Sequence, residues 1–205
     1  MNFNDFYSSA SYYFSQDYSH GMAECLKKYN VSPCLAVDIG AGEGRNSLYL
    51  ASQGYSVIAI EPSDVGVSKI VKRSSDLELS IDIKNTDFLS CSPFLEDVGL
   101  VIALTSLEHM EPEYMQEAIK EIKRIMKPGG YIYALVFTEE DPGFTKDIQS
   151  ASECAMFVKH YFRKDELRTL FSDFSVLEYS EYVKEDNTHG PIHYHGKAKL
   201  FAQKK

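Results

Sequence analysis

Tryptophan is absent from the 205 residues, and cysteine is scarce, at four. Cys25, Cys34, Cys91 and Cys154 lie far apart and form no Cys-x-x-Cys pair. That spacing excludes a thiolate zinc knuckle and a dithiol redox motif, and it leaves reduced packing thiols of a cytoplasmic protein as the expectation. No apolar run approaches the roughly 18 residues of a membrane span. The opening Met-Asn-Phe-Asn-Asp lacks the basic-then-apolar layout of a signal peptide. Positive charge is also short, with 21 basic against 30 acidic residues and a net charge of −9. A chain this acidic is a poor binder of phosphate backbones, so a small molecule is the expected partner, with no nucleic acid and no membrane. A monomer or homodimer is expected.

The bulk composition is that of one ordinary globular domain, 44% apolar and 25% charged. The aromatics are unevenly placed: of 14 Tyr and 12 Phe, eight fall in the first 30 residues. Phe3, Phe6, Tyr7, Ala10 and Phe14 share a helical stripe, which predicts a helix packed over one edge of the protein. The expected organisation is a single domain, 1–205, with 1–30 as a helical cap and 31–205 as the core.

Short apolar runs alternate with helical patterns from residue 35 onward. Residues 35–39, 57–60, 79–83, 100–104 and 131–137 read as strands, several of them apolar on both faces, which suits a parallel sheet covered by helices. Between them, 45–52 follows a glycine cluster, and Val67, Ile70 and Val71 keep helical spacing after Ser63 as N-cap. Met115, Ala118, Ile119, Ile122, Ile125 and Met126 mark the strongest helix, which Lys127-Pro128-Gly129-Gly130 should stop. Repeated strand–helix–strand order predicts right-handed crossovers and an α/β fold. After a short helix at 164–171, two strands at 175–183 and 192–202 are close enough in sequence that they must pair antiparallel.

The chemistry is concentrated at Val37-Asp38-Ile39-Gly40-Ala41-Gly42-Glu43-Gly44-Arg45. The glycines allow a tight turn and close approach of a ligand to backbone. A dinucleotide fingerprint would place its third glycine at Arg45, whose bulk argues against a pyrophosphate on the helix start. Asp38 and Glu43 disfavour phosphates there and tolerate a cation. Glu61 ends the second strand, where a carboxylate can accept from both ribose hydroxyls. Asp87-Phe88 follows the third strand, where a carboxylate can accept from an adenine amino group and a ring can stack on the base.

Three stretches carry a family resemblance: VDIGAGEGRNSLYLASQGYSVIAIEPS (37–63), TDF (86–88) and SLEHMEPEYMQEAIKEIKRIMKPGGYIYALVF (106–137). Together the chain resembles a class I S-adenosyl-L-methionine-dependent methyltransferase of the small-molecule type. The resemblance implies a Rossmann-like, doubly wound seven-stranded sheet in the order 3-2-1-4-5-7-6, last strand antiparallel, with helices on both faces. It also implies S-adenosyl-L-methionine as cofactor, held by Asp38, Gly40, Gly42, Glu61, Asp87 and Phe88, with Ala41, Pro62 and Thr105 bordering the same space. GEGRNSLYLASQGYSV and the histidine-bearing end look most like the tellurite-resistance methyltransferase group. Ala41 stands where that group usually has cysteine, and tellurite is not carried over as substrate.

His109 follows the fourth strand, where cofactor and acceptor should meet, and is a candidate general base. So are His189 and His193, which cluster with His195 near the last turn. His193 and His195 share one strand face. Glu108 is a weaker candidate. No cysteine or carboxylate is spaced in sequence to complete a metal set, so no metal is expected. Tyr7, Tyr13 and His195 are expected to line the acceptor pocket, with Phe6, Tyr12, Phe14 and Tyr18 as further parts of a cover. An NAD-dependent oxidoreductase and a non-catalytic cofactor-binding regulatory subunit remain alternatives.

Overall fold

The structure is a computed structural model, and it describes residues 3–10, 13–145, 151–187 and 191–205. Seven strands among these residues form one sheet: β1 (Leu35–Ile39), β2 (Ser56–Ile60), β3 (Ile81–Lys84), β4 (Val98–Leu104), β5 (Met126–Phe137), β6 (Ser175–Asp186) and β7 (His193–Gln203). Their order is β3-β2-β1-β4-β5-β7-β6. The first five pair in parallel, and β7 is antiparallel to both β5 and β6. The expected doubly wound architecture is therefore observed, including its antiparallel last strand.

Eight α-helices are assigned among the described residues: α1 (Phe3–Ser9), α2 (His20–Lys28), α3 (Arg45–Ser52), α4 (Asp64–Asp76), α5 (Phe88–Cys91), α6 (Pro112–Ile125), α7 (Pro142–Thr145) and α8 (Glu166–Leu170). Strand alternation sends side chains to two cores. Val37, Ile39, Val101 and Ala103 face α6 and α8, whereas Ala36, Leu100, Ile102 and Tyr133 face α2 and α3. On α6, Met115, Ala118, Ile119, Ile122 and Ile125 are all buried, each isoleucine worth about 2 kcal/mol. Pro112 opens that helix, where its missing N–H costs nothing. Ser63 caps α4 as expected, its side chain accepting from Gly66 N.

Three local expectations change. The Lys127–Gly130 stretch ends α6 but belongs to β5: Val98 pairs with Met126 and Leu100 with Tyr131, so the segment is an irregularity within the ladder. The predicted single N-terminal helix is two helices. Phe14 lies outside both, because Glu43 and Arg45 bind the backbone between them. Only α1 covers the carboxyl edge of the sheet. The second helix, α2, is capped by Ser19 and packs Met22, Cys25 and Leu26 on a sheet face. His189 and Tyr12 lie outside the described residues, as does the side chain of Cys154.

Candidate functional site

The carboxyl ends of the parallel strands, together with the start of β7, enclose a cleft of two chambers. One, of about 380 Å³, is lined by Ile60, Glu61, Pro62, Asp87, Phe88, Ser106 and Tyr114. The other, of about 230 Å³, is lined by Asp38, Ala41 to Glu43, Arg45, Asn46, Asp186, His195 and Lys197. Phe3, Tyr7, Gly40, Thr105 and His109 border both. The loop after β1 makes the wall between them. Gly40, Gly42 and Gly44 all take left-handed backbone angles, and a Cβ on Gly40 would come within 2.6 Å of the Ser106 Cβ. Thr105 also holds a positive φ, of 50°. That is a costly conformation for a β-branched residue, and it is held by the bond from Thr105 N to Leu135 O.

Two buried carboxylates face the loop from opposite sides. Glu61 accepts from Gly42 N at 2.7 Å and from Ser63 N at 2.8 Å, one amide on each oxygen. Burial raises its pKa and the two amides oppose the rise. Asp38 accepts from the Ser47 hydroxyl at 2.6 Å. Burial pushes it up to about 7, against the pull of that hydroxyl. Asp87 caps α5 by accepting from Ser90 N and also accepts from the Tyr114 hydroxyl. Phe88 borders the same chamber but is 2% exposed, so its ring belongs to the floor.

Glu43 has a different part from the one its position suggested. It accepts from Tyr13 N and Phe14 N and pairs with Lys69 at 2.6 Å. Lys69 also donates to Ala10 O, and Arg45 to Phe14 O. These bonds strap the aromatic N-terminus over the cleft. Tyr7 is inside it, with a Cβ on Gly42 falling 3.0 Å from its hydroxyl. Tyr13 is not among the lining residues: its amide is held by Glu43 and its ring turns outward to Glu153. The expectation that Tyr13 lines the acceptor pocket is corrected on that ground.

His109 borders both chambers, and its Nδ1 lies 3.2 Å from Phe157 O. Burial lowers its pKa, the carbonyl opposing. Glu108, its neighbour, is fully buried behind the cleft. Neither of its oxygens makes a well-formed hydrogen bond among the described residues, and burial pushes its pKa up to about 8 against the pull of the nearby Glu108 and Phe137 amides and of Lys197.

The end of the chain forms a second cluster. His193 and His195 are 5% and 2% exposed, not a solvated turn. Their Nε2 atoms are 3.0 Å apart. His193 Nδ1 lies 2.7 Å from Pro191 O, and His195 Nδ1 3.0 Å from Asp141 Oδ2. His195 borders the smaller chamber and stacks on Phe137, while His193 stands behind it. Gly196 lets the Asp141 backbone close on β7, since a Cβ there would sit 2.3 Å from Asp141 N.

Sequence spacing missed Asp186, Asp141 and Lys197. Hairpin register sets Asp186 opposite His193, and its carboxylate and the two imidazoles offer ligand atoms all within 4.8 Å. The expectation that no carboxylate accompanies the histidines is thus corrected. Counting pairs back across the polar turn was the available signal. Lys197 Nζ is 3.6 Å from Asp186 Oδ2. Cys25 and Cys91 are buried and Cys34 half-buried, all as free thiols. Among the described residues no helix is long and apolar enough to cross a membrane.

Comparison with known proteins agrees with this architecture. Residues 4–191 match the family model described as tellurite resistance protein TehB. The probable S-adenosyl-L-methionine-dependent methyltransferase TehB of Haemophilus influenzae is 27% identical over 186 residues, covering 88% of this chain and 60% of that protein. Hemagglutinin 1 of Eikenella corrodens is 27% identical over 155 residues, covering 75% of this chain and 48% of its own. The chain thus spans about half to three fifths of the curated relatives it matches. The crystal structure of TehB from H. influenzae superposes with a TM-score of 0.78 at 22% identity, covering 100% of this chain and 68% of that one. Magnesium protoporphyrin IX methyltransferase from Synechocystis PCC 6803, with bound SAH, gives 0.68 at 17% identity, covering 90% of this chain and 81% of that one.

Proposed function

The chain belongs to the family of the tellurite resistance protein TehB, and from that premise we propose that it is an S-adenosyl-L-methionine-dependent methyltransferase acting on a small-molecule acceptor by direct in-line displacement. The observation that carries this reading is the two-chamber cleft divided at Gly40, Thr105 and His109, with Glu61 serving one chamber and Asp38 the other. The residues fit the cofactor. Gly40 presents bare backbone to both chambers, and each Glu61 oxygen accepts only one amide, which leaves acceptor capacity for ribose hydroxyls. Bound there, S-adenosylmethionine supplies a methyl group activated on a sulfonium.

The chain's own residues bind, orient and exclude water. In this reading Glu61 accepts from the ribose, Pro62 and Phe88 border the base, and Asp87 accepts from its amino group. Asp38 holds the ammonium of the amino-acid part, at the end of the loop formed by Gly40, Ala41 and Gly42. A carbonyl only accepts, so His109 Nδ1 carries the proton toward Phe157 O, and Nε2 keeps a lone pair able to take a proton from the acceptor. Phe3, Tyr7 and Phe14 cover the cleft, and removing water while aligning the partners supplies most of the rate. Arg45 and Lys197 give the smaller chamber a cationic side that suits an anionic or soft acceptor, so chalcogen oxyanions are the first compounds to screen.

Residues 1–205 act as one methyltransferase domain with 31–205 as its core; of the expected cap 1–30, α1 covers the cleft while α2 packs on a sheet face, and the single sheet supports one domain. A cytoplasmic address is supported by the free thiols Cys25, Cys34 and Cys91. The net charge of −9 supports a small-molecule partner over nucleic acid, for a monomer or homodimer. Calorimetry with S-adenosylhomocysteine tests the reading. Micromolar binding is expected, and it is lost in Glu61→Ala and Gly42→Val variants that melt as folded proteins. Absence of binding, binding unchanged in both variants, or tight binding of NAD instead would overturn it. Tight cofactor binding with no turnover across oxyanions, thiols, phenols and amines would favour a regulatory subunit.

A further inference from the structure

We propose that Asp186, His193 and His195 form a divalent transition-metal site of the zinc class at the rim of the smaller chamber. The argument begins with proton positions. His193 Nδ1 meets a carbonyl oxygen, Pro191 O, at 2.7 Å, and a carbonyl only accepts. His195 Nδ1 meets Asp141 Oδ2 at 3.0 Å, and that carboxylate also accepts from Gly143 N and Gly196 N, so it is an acceptor to all three. Each imidazole therefore carries its proton on Nδ1. In the neutral rings both Nε2 atoms then present lone pairs to each other across 3.0 Å. Two facing lone pairs repel, and a cation between them removes the repulsion.

The surroundings match a metal ligand set. A metal-bound imidazole characteristically donates its other N–H to a carboxylate or backbone carbonyl, which fixes the ring and its tautomer. Both arrangements occur here, on Asp141 and on Pro191. The third ligand is the Asp186 carboxylate, opposite His193 in the hairpin, with one ligand atom from each residue inside a 4.8 Å span. Zn–N bonds of about 2.05 Å at a tetrahedral angle put two nitrogens about 3.3 Å apart, so the pair need open only by a few tenths of an ångström. Two imidazoles and one carboxylate, the ligands found among the described residues, would leave a tetrahedral ion one further position, the pattern of catalytic rather than structural zinc. Asp186 and His195 both border the smaller chamber, so that position is reachable from the cleft.

Metal binding is independent of the methyltransferase reading and is tested without turnover. Untagged full-length protein is freed of metal with a chelator, desalted and titrated with Co²⁺. Visible ligand-field absorption saturating at one equivalent is expected, abolished by one equivalent of Zn²⁺. His193→Gln and Asp186→Asn should each lose the absorption, and the exposed His20→Gln should keep it. Zn²⁺ should raise the melting temperature of the wild type and leave His193→Gln unmoved. No absorption and no cobalt retained through gel filtration would overturn the proposal. So would wild-type cobalt binding in His193→Gln. Binding of S-adenosylhomocysteine, measured in parallel, reports separately on the cofactor site.

Discussion

Glu108→Gln isolates the cost of burying a carboxyl that makes no well-formed hydrogen bond among the described residues. Its environment moves the pKa from an ordinary 4.5 to about 8, chiefly by burial. Below about pH 4.5 the group is protonated in folded and unfolded chains alike and contributes nothing to the difference. Between the two values the unfolded chain releases the proton and the folded one keeps it. Folding then binds a proton, and stability falls as pH rises, by about 1.4 kcal/mol per pH unit. Above about pH 8 the penalty is complete, at about 3 to 5 kcal/mol. Glutamine has nearly the same shape and cannot ionise. Urea unfolding followed by circular dichroism at several values from about pH 5 to about pH 8 should show the variant gaining on the wild type by about 3 to 4 kcal/mol across the range. Asp38, which burial also raises, and the buried histidines are common to both proteins and cancel in the difference. Parallel stability curves would refute the reasoning, because they would mean that Glu108 carries the same charge folded and unfolded.

Further outcomes follow from the cleft. Burial holds Asp38 near 7, so a cationic ligand gains as pH rises through that value. Calorimetry should show S-adenosylhomocysteine affinity increasing from about pH 6 to about pH 8, by up to about tenfold per pH unit at the acid end, with the dependence flattened in Asp38→Asn. Glu43→Ala removes the acceptor for Tyr13 N and Phe14 N and the partner of Lys69. Limited proteolysis should then cut between residues 10 and 17 at least about tenfold faster, while the sheet keeps its far-ultraviolet signal. Arg45→Lys should also loosen that segment, because lysine lacks the planar guanidinium that reaches Phe14 O, and amide exchange at 13–17 measures it.

Local pattern carried most of the architecture. Apolar runs such as Leu100 to Leu104 are strands because β4 is covered on both faces, and burial along its whole length bears this out. Glycines at 40, 42 and 44 signalled the loop because only glycine takes three left-handed angles so closely spaced at little cost. The N-terminus misled for a definite reason. A helical stripe records which residues are apolar, and it holds no trace of the distant Glu43 and Arg45 whose bonds to Tyr13 and Phe14 interrupt the helix.

Chain order, periodicity and glycine spacing, all of them local properties, determined the parallel core, the antiparallel end, the position of the loop and the carboxylates Asp38, Glu61 and Asp87 at strand ends. Tertiary structure alone decided what each of those groups touches. It turned Glu43 into a strap, left Glu108 buried with no well-formed hydrogen bond among the described residues, and joined Asp141, Asp186, His193 and His195 from one loop and two strands. The reason is physical: protonation, hydrogen bonding and metal affinity depend on distances of a few ångströms between side chains, and here strand register and burial set those distances, not separation along the chain.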